Sequence, residues 1–177
     1  MADATFRREF LEAHNAHRAK HNSQMMTLSS ELSASAQTWA DYLLTIKTMK
    51  HSTTGNGENI FYQWSSGPVK LTGREAVDNW YDEINLYNWR SPGFSKGTGH
   101  FTQVVWSNST KLGLGVASDG NRVFVVGQYQ PAGNINSREE FENNVQRPDD
   151  KSVNKPDTNK PSSGDKKSCT PFRSRHY

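Results

Sequence analysis

The chain is predicted to adopt an α+β fold, a three-layer α-β-α sandwich around a small antiparallel sheet, and three observations carry that expectation. Apolar residues recur at three and four positions in two early segments. A capping-box pattern opens a third such segment near residue 72. Two β-rich runs come late, separated by turn residues.

Taken in order, Phe6, Phe10, Ala13 and His17 predict a first helix. Leu32, Ala36, Trp39, Ala40, Leu43 and Leu44 form a second, stronger stripe, with Ser29 or Ser30 placed to cap it. Glu58 to Trp64 reads as a strand. Thr72, followed three residues later by Glu75, starts a third helix through Val77, Trp80, Tyr81, Ile84 and Tyr87, predicted to run to about Asn88. Lys111 to Ser118 and Arg122 to Tyr129 are strands joined through Asp119, Gly120 and Asn121, the chemistry of a hairpin turn. Gly113 and Gly115 alternate along the first of these strands and imply a close backbone approach.

A chain of 177 residues has room for one domain with a hydrophobic core of its own. The net charge of +3 is misleading until it is located. From residue 147 onward there are eight Lys and Arg against four Asp, so the tail carries +4 and residues 1–146 carry −1. A near-neutral domain offers no footprint for a phosphate backbone, so no nucleic-acid partner is expected. The tail, 147–177, holds four of the seven prolines and few large apolar residues, and disorder is the expectation there. Cys169 is the single cysteine, which excludes an intramolecular disulfide and suggests a reducing compartment. No signal-peptide core and no membrane-spanning run is visible.

Four residues stand inside short phrases that need a common explanation. Glu58 lies in Gly57-Glu58-Asn59-Ile60, His100 lies in the run Gly99 to Trp106, His51 stands shortly before the first phrase, and Glu83 stands between the two. A third phrase runs from Phe124 through Gly127, Gln128, Tyr129, Pro131 and Gly133 to Asn134. In this order, over about residues 6 to 146, the chain resembles the CAP superfamily of cysteine-rich secretory, antigen five and pathogenesis-related proteins, also called the SCP domain. It is most similar to the Golgi-associated plant-pathogenesis-related type, which lacks the disulfides of its secreted relatives. Secreted members generally carry a cysteine where Gly127 stands.

Glu83 follows Ala76 and Trp80 and precedes Tyr87 at helical offsets, so a carboxylate shares a face with aromatic rings and needs donors or cations there. Two imidazoles and two carboxylates suit a divalent cation, zinc above all, held weakly with water in the open positions. The resemblance implies His51 and His100 as metal ligands, with Glu58 and Glu83 as their hydrogen-bonded companions. The alternative is that these groups only satisfy one another in a polar cleft. His14, Asn15 and Arg18 match a further phrase that reads as structural, with Arg18 pairing and capping groups inside the fold. Asn59 and Tyr129 read as hydrogen-bonding positions.

Family members bind lipids, so membrane lipids, anionic or sterol, are the implied partners, and the chain is expected to be non-enzymatic. Trp89 and Phe94, around Pro92 and Gly93, are the lipid-facing candidates. Ala2 replaces the glycine needed for N-myristoylation, and Cys169, among Lys166, Lys167, Arg173 and Arg175, is the candidate for acylation. The implied location is cytoplasmic and peripheral to membranes, and self-association into a homodimer is admitted. One alternative is a metal-assisted hydrolase with Glu58 or Glu83 as general base. Another is a secreted defence or venom-like effector, which glycan on the Asn108-Ser109-Thr110 sequon would mark.

Overall fold

The computed structural model describes residues 2–148. The expected tail and Cys169 lie outside the described residues, apart from Arg147 and Pro148. Five α-helices and four strands follow one another: α1 Ala4–Lys20, β1 Thr27–Leu28, α2 Ser30–Ile46, β2 Gly57–Trp64, α3 Gly73–Tyr81, α4 Gly99–Val105, β3 Lys111–Ser118, β4 Arg122–Gln130 and α5 Arg138–Asn144. Side chains cap the helices where the sequence offers them. Asp3 accepts from Phe6 N at 2.8 Å and Ser29 from Leu32 N at 3.1 Å. Thr72 and Glu75 close their reciprocal box at 3.1 and 2.9 Å.

The sheet runs β1-β3-β4-β2. β2, β3 and β4 are antiparallel as expected, whereas β1 pairs parallel to β3, so the sheet is mixed. Two residues are too few to show a two-residue alternation, which is why β1 left no sequence signal. Side chains alternate cleanly across the sheet. Leu112, Leu114, Val116, Val123, Val125 and Tyr129 pack with α1, α3 and α4 in the larger core. Phe124, Val126, Ile60 and Ala117 meet Ala36, Ala40 and Leu43 of α2 in the smaller one. On the α2 side of β3 stand Gly113 and Gly115, and a Cβ at either would collide with the backbone of Leu32 or of Ala36. Those glycines let α2 lie directly on the sheet.

The third helix ends sooner than expected. After Tyr81 the chain tightens into a 3-10 turn, Asp82–Leu86, and is extended at Tyr87. Glu83 therefore stands on the 3-10 turn rather than on the stripe of α3. Arg18 fills the role expected of it inside the fold and has no exposed surface. Its five N–H groups reach five backbone carbonyls: Gln24 at 2.7 Å, Val104 at 2.8 Å, Trp106 at 2.9 Å, Ser107 at 3.3 Å and Ser109 at 2.7 Å. Val104 and Trp106 lie at the C-terminal end of α4, where carbonyls lack helical partners and the dipole favours a cation. Burial lowers the Arg18 pKa to about 10, which leaves it charged at neutral pH.

Candidate functional site

The four residues singled out in the sequence form two imidazole–carboxylate pairs, one on each side of the first residues of β2. On the α2 side, His51 Nδ1 lies 2.8 Å from Glu58 Oε1. Glu58 also accepts from Ser52 N at 2.8 Å, Ser52 Oγ at 2.7 Å and Gln128 Nε2 at 2.9 Å. Gln128 is the cross-strand neighbour of Glu58 on β4, which places its amide on the same face. Burial of Glu58 opposes ionisation, but the bonds from His51, Ser52 and Gln128 outweigh it and hold the carboxyl below its ordinary pKa. The same bond to Glu58 raises the pKa of His51.

Across the strand, His100 Nδ1 lies 2.8 Å from Glu83 Oε2. Glu83 Oε1 accepts from the backbone N–H groups of His100 at 2.9 Å and Phe101 at 3.2 Å. Thr98, at the N-cap of α4, supplies no side-chain bond, so Glu83 caps this helix from outside it. The His100 ring stacks parallel to Trp80, 6.3 Å between centroids.

Each histidine thus has Nδ1 directed at a carboxylate. This arrangement fixes the tautomer and leaves the Nε2 lone pair for an external partner. No side chain of one pair bonds a side chain of the other among the described residues. Nor do three or more His, Cys, Asp or Glu gather there as ligands for one ion. The donor chemistry suits a cation held by two imidazole nitrogens, with the remaining positions left to water.

The third phrase holds α4 in place. Gly133 N donates to Gln103 Oε1 at 3.1 Å, and Asn134 Nδ2 donates to Gly99 O at 3.0 Å. Asn134 accepts from Thr102 Oγ1 at 2.6 Å and takes a left-handed φ of 55°. Behind the pairs, fully buried His14 has Nδ1 2.9 Å from Phe10 O and Nε2 2.7 Å from Tyr129 Oη. Because a carbonyl only accepts, Nδ1 carries the proton and Tyr129 donates to Nε2. Burial lowers the His14 pKa to about 3, and it raises that of the Tyr129 hydroxyl.

The lipid-facing assignment of Trp89 is corrected. Trp89 is 7% exposed and packs edge-on against Tyr87 and Phe101. Pro92 and Gly93 do mark a loop, but this loop folds its indole inward. Phe94 is 52% exposed, and Leu86 and Ile135, which the sequence did not single out, are 62% and 48% exposed. Ser52 and Gln128 were also missed as partners of Glu58. Gln128 becomes visible only once the register of β2 on β4 is known.

Among the described residues no helix is long and apolar enough to cross a membrane. The profile of the cysteine-rich secretory protein family, CAP, matches residues 11–129. The chain is 42% identical over 153 residues to the human "Golgi-associated plant pathogenesis-related protein 1", covering 83% of this chain and 96% of that protein. Among solved structures it is similar to BmVAL-1, with a TM-score of 0.67 at 24% identity over 80% of this chain and 84% of that one. It is also similar to NaASP2 solved with Zn2+, with a TM-score of 0.61 at 29% identity over 79% and 86%. Together with the mixed sheet between helical layers and the three phrases around the site, these matches place the chain in the CAP family of cysteine-rich secretory proteins.

Proposed function

We propose that this CAP-domain chain is a non-enzymatic, lipid-interacting module, peripheral to Golgi-type membranes on their cytoplasmic side, with a weak divalent-cation site at His51 and His100. One observation carries the lipid reading: apolar side chains left in solvent on segments that meet at the start of α4. Leu86 closes the 3-10 turn that carries Glu83, and Phe94 lies against Gly99. Ile135 follows Asn134, which is bonded to the same Gly99. Exposed Arg90 and Lys96 flank Phe94, which suits an anionic bilayer surface.

For the cation, zinc is the best match to two imidazole Nε2 donors, and a structural relative solved with Zn2+ supports that choice. When bound, such an ion would supply a fixed positive charge between the pairs. Glu58 and Glu83 orient the rings and stabilise them when they bind a cation. Glu58 is poorly suited to be a general base. It already accepts four hydrogen bonds, about one for each lone-pair site, so none is free to take a proton from water.

The test is flotation with phosphatidylcholine vesicles, alone or containing phosphatidylserine or a sterol. Recovery should rise with the anionic lipid or the sterol and be lost in Phe94→Asp without a change in Tm. Equal recovery on all vesicles would refute the lipid reading.

A further inference from the structure

Glu58 and Asn59 are consecutive on β2, and their side chains point to opposite faces of the sheet. Glu58 holds His51, as described above. Asn59, 2% exposed, donates from Nδ2 to His100 O at 3.1 Å and to Tyr129 Oη at 3.2 Å. Two neighbouring residues of one strand therefore grip the two imidazole-bearing segments, Glu58 through a ring nitrogen and Asn59 through a main-chain carbonyl.

The proton arrangement of this inner chain is unique. Its two ends, Phe10 O and His100 O, can only accept. His14 Nδ1 must donate to the first, so Tyr129 must donate to His14 Nε2, and Tyr129 Oη is left to accept from Asn59. Asn59 then spends both amide hydrogens, one on the hydroxyl and one on His100 O. Turning the amide over would set its oxygen against both acceptors. The network has no second state to relax into, which makes it a rigid support between α1, β4, β2 and the start of α4.

We infer that Asn59 is a positioning residue for the two-imidazole site: it fixes the main chain of His100 against the strand that carries Glu58, and so sets the separation of the His100 and His51 rings. The inference rests on the cation reading above for its consequence, but not for its geometry. Gly57, two residues earlier on the same face, contributes by being small. A Cβ there would run into the Gln103 side chain, which itself holds Gly133. The grip of β2 on α4 therefore extends over Gly57 and Asn59 together.

Asn59→Asp is the sharpest probe, because it keeps the shape and removes both donors. Tyr129→Phe is the second, because it removes the acceptor while Asn59 keeps its bond to His100. Two readouts are taken on the full chain: zinc affinity by calorimetry, and the 13C shift of the His100 carbonyl by NMR. Asn59→Asp should weaken zinc binding by about tenfold, the scale of losing a partner that orients a ligand, and should move the His100 carbonyl shift. Tyr129→Phe should do both to a smaller degree. Val116→Ala, a core change remote from the site, should lower Tm and leave both readouts where they were. Unchanged zinc affinity in Asn59→Asp overturns the inference. If Asn59→Asp does not fold, unchanged readouts in Tyr129→Phe overturn it instead. If the wild-type chain binds no zinc, the cation reading fails, and the carbonyl shift alone decides: a moved shift upholds the positioning role of Asn59, and an unmoved one ends it.

Discussion

His51 and Glu58 divide their environments unequally: the carboxylate side chain is 4% exposed, while the imidazole it holds at 2.8 Å is 65% exposed. The negative partner is thus fixed inside the protein by several donors, and the histidine is presented outward by it. Glu58→Gln tests this division. The amide keeps the size but turns one acceptor into a donor facing Ser52, Gln128 or His51, all of which already donate. A cost of about 2–3 kcal/mol in urea denaturation is expected, the scale of leaving buried polar groups unmatched. A loss below about 0.5 kcal/mol would mean that the site tolerates rearrangement.

Acid should destabilise the fold well before the carboxylates titrate. Burial lowers the pKa of His14 to about 3 and that of His21 to about 4, outweighing the carbonyls of Phe10 and Gln146, which accept from the rings and act to raise it. Their folded pKa values lie below the unfolded value of about 6.5, so the stability they confer is complete above that pH and is lost as pH falls toward 4. On the order of 3 kcal/mol each is at stake. His51 works the opposite way, because its raised pKa adds stability below pH 6.5 that fades as pH rises. Its exposure screens that contribution. Thermal melts between pH 7.5 and 4 should therefore show a steady fall in Tm, and a flat profile down to pH 4.5 would contradict the buried-histidine account.

Replacing Arg18 by lysine keeps the charge and loses the fork. One ammonium cannot reach carbonyls of residues 24, 104, 106, 107 and 109 together. Arg18→Lys should cost at least about 3 kcal/mol, since several buried carbonyls lose their donors at about 1–3 kcal/mol each. Equilibrium denaturation measures it, and a loss under about 1 kcal/mol would show that water replaces the missing donors readily.

Gly115→Ala should displace α2 from the sheet. The added methyl would meet the backbone of Ala36 and Gln37, which cannot rotate away as a side chain can. A cost of about 2 kcal/mol or more is expected from such overpacking. At Gly120, in the hairpin turn, the same substitution meets no atom within 4 Å but is strained by a φ of 98°. Urea denaturation of the two variants separates collision from backbone strain, and a Gly115→Ala variant as stable as the parent would deny the close approach.

Much of the fold was legible because its signals are local. Capping by Ser29 and by Thr72 with Glu75 involves residues three apart, and the hairpin is marked by its own turn. What failed depended on partners far along the chain. Helical spacing set Glu83 on one face with Trp80 and Tyr87, but the helix tightens at Asp82, and what anchors Glu83 is the start of α4, seventeen residues on. Trp89 reads as a loop aromatic, and only the packing of His21, Tyr87 and Phe101 around it shows that it is buried. The residue types of the site were readable, and the family resemblance implied Glu58 and Glu83 as companions of the two histidines, but which carboxylate holds which ring depends on the fold. The link from His14 to Tyr129 spans 115 positions and carries no local mark.

The Arg18 clasp bears on where such a domain can live. A single guanidinium joins the end of α1, the segment after it and the stretch between α4 and β3, a task that a cross-link between sulfurs could also perform. Hydrogen bonds to carbonyls have no oxidation state. With no cysteine among residues 2–148, glutathione and thioredoxin find nothing here to cut, and an oxidising lumen finds nothing to join.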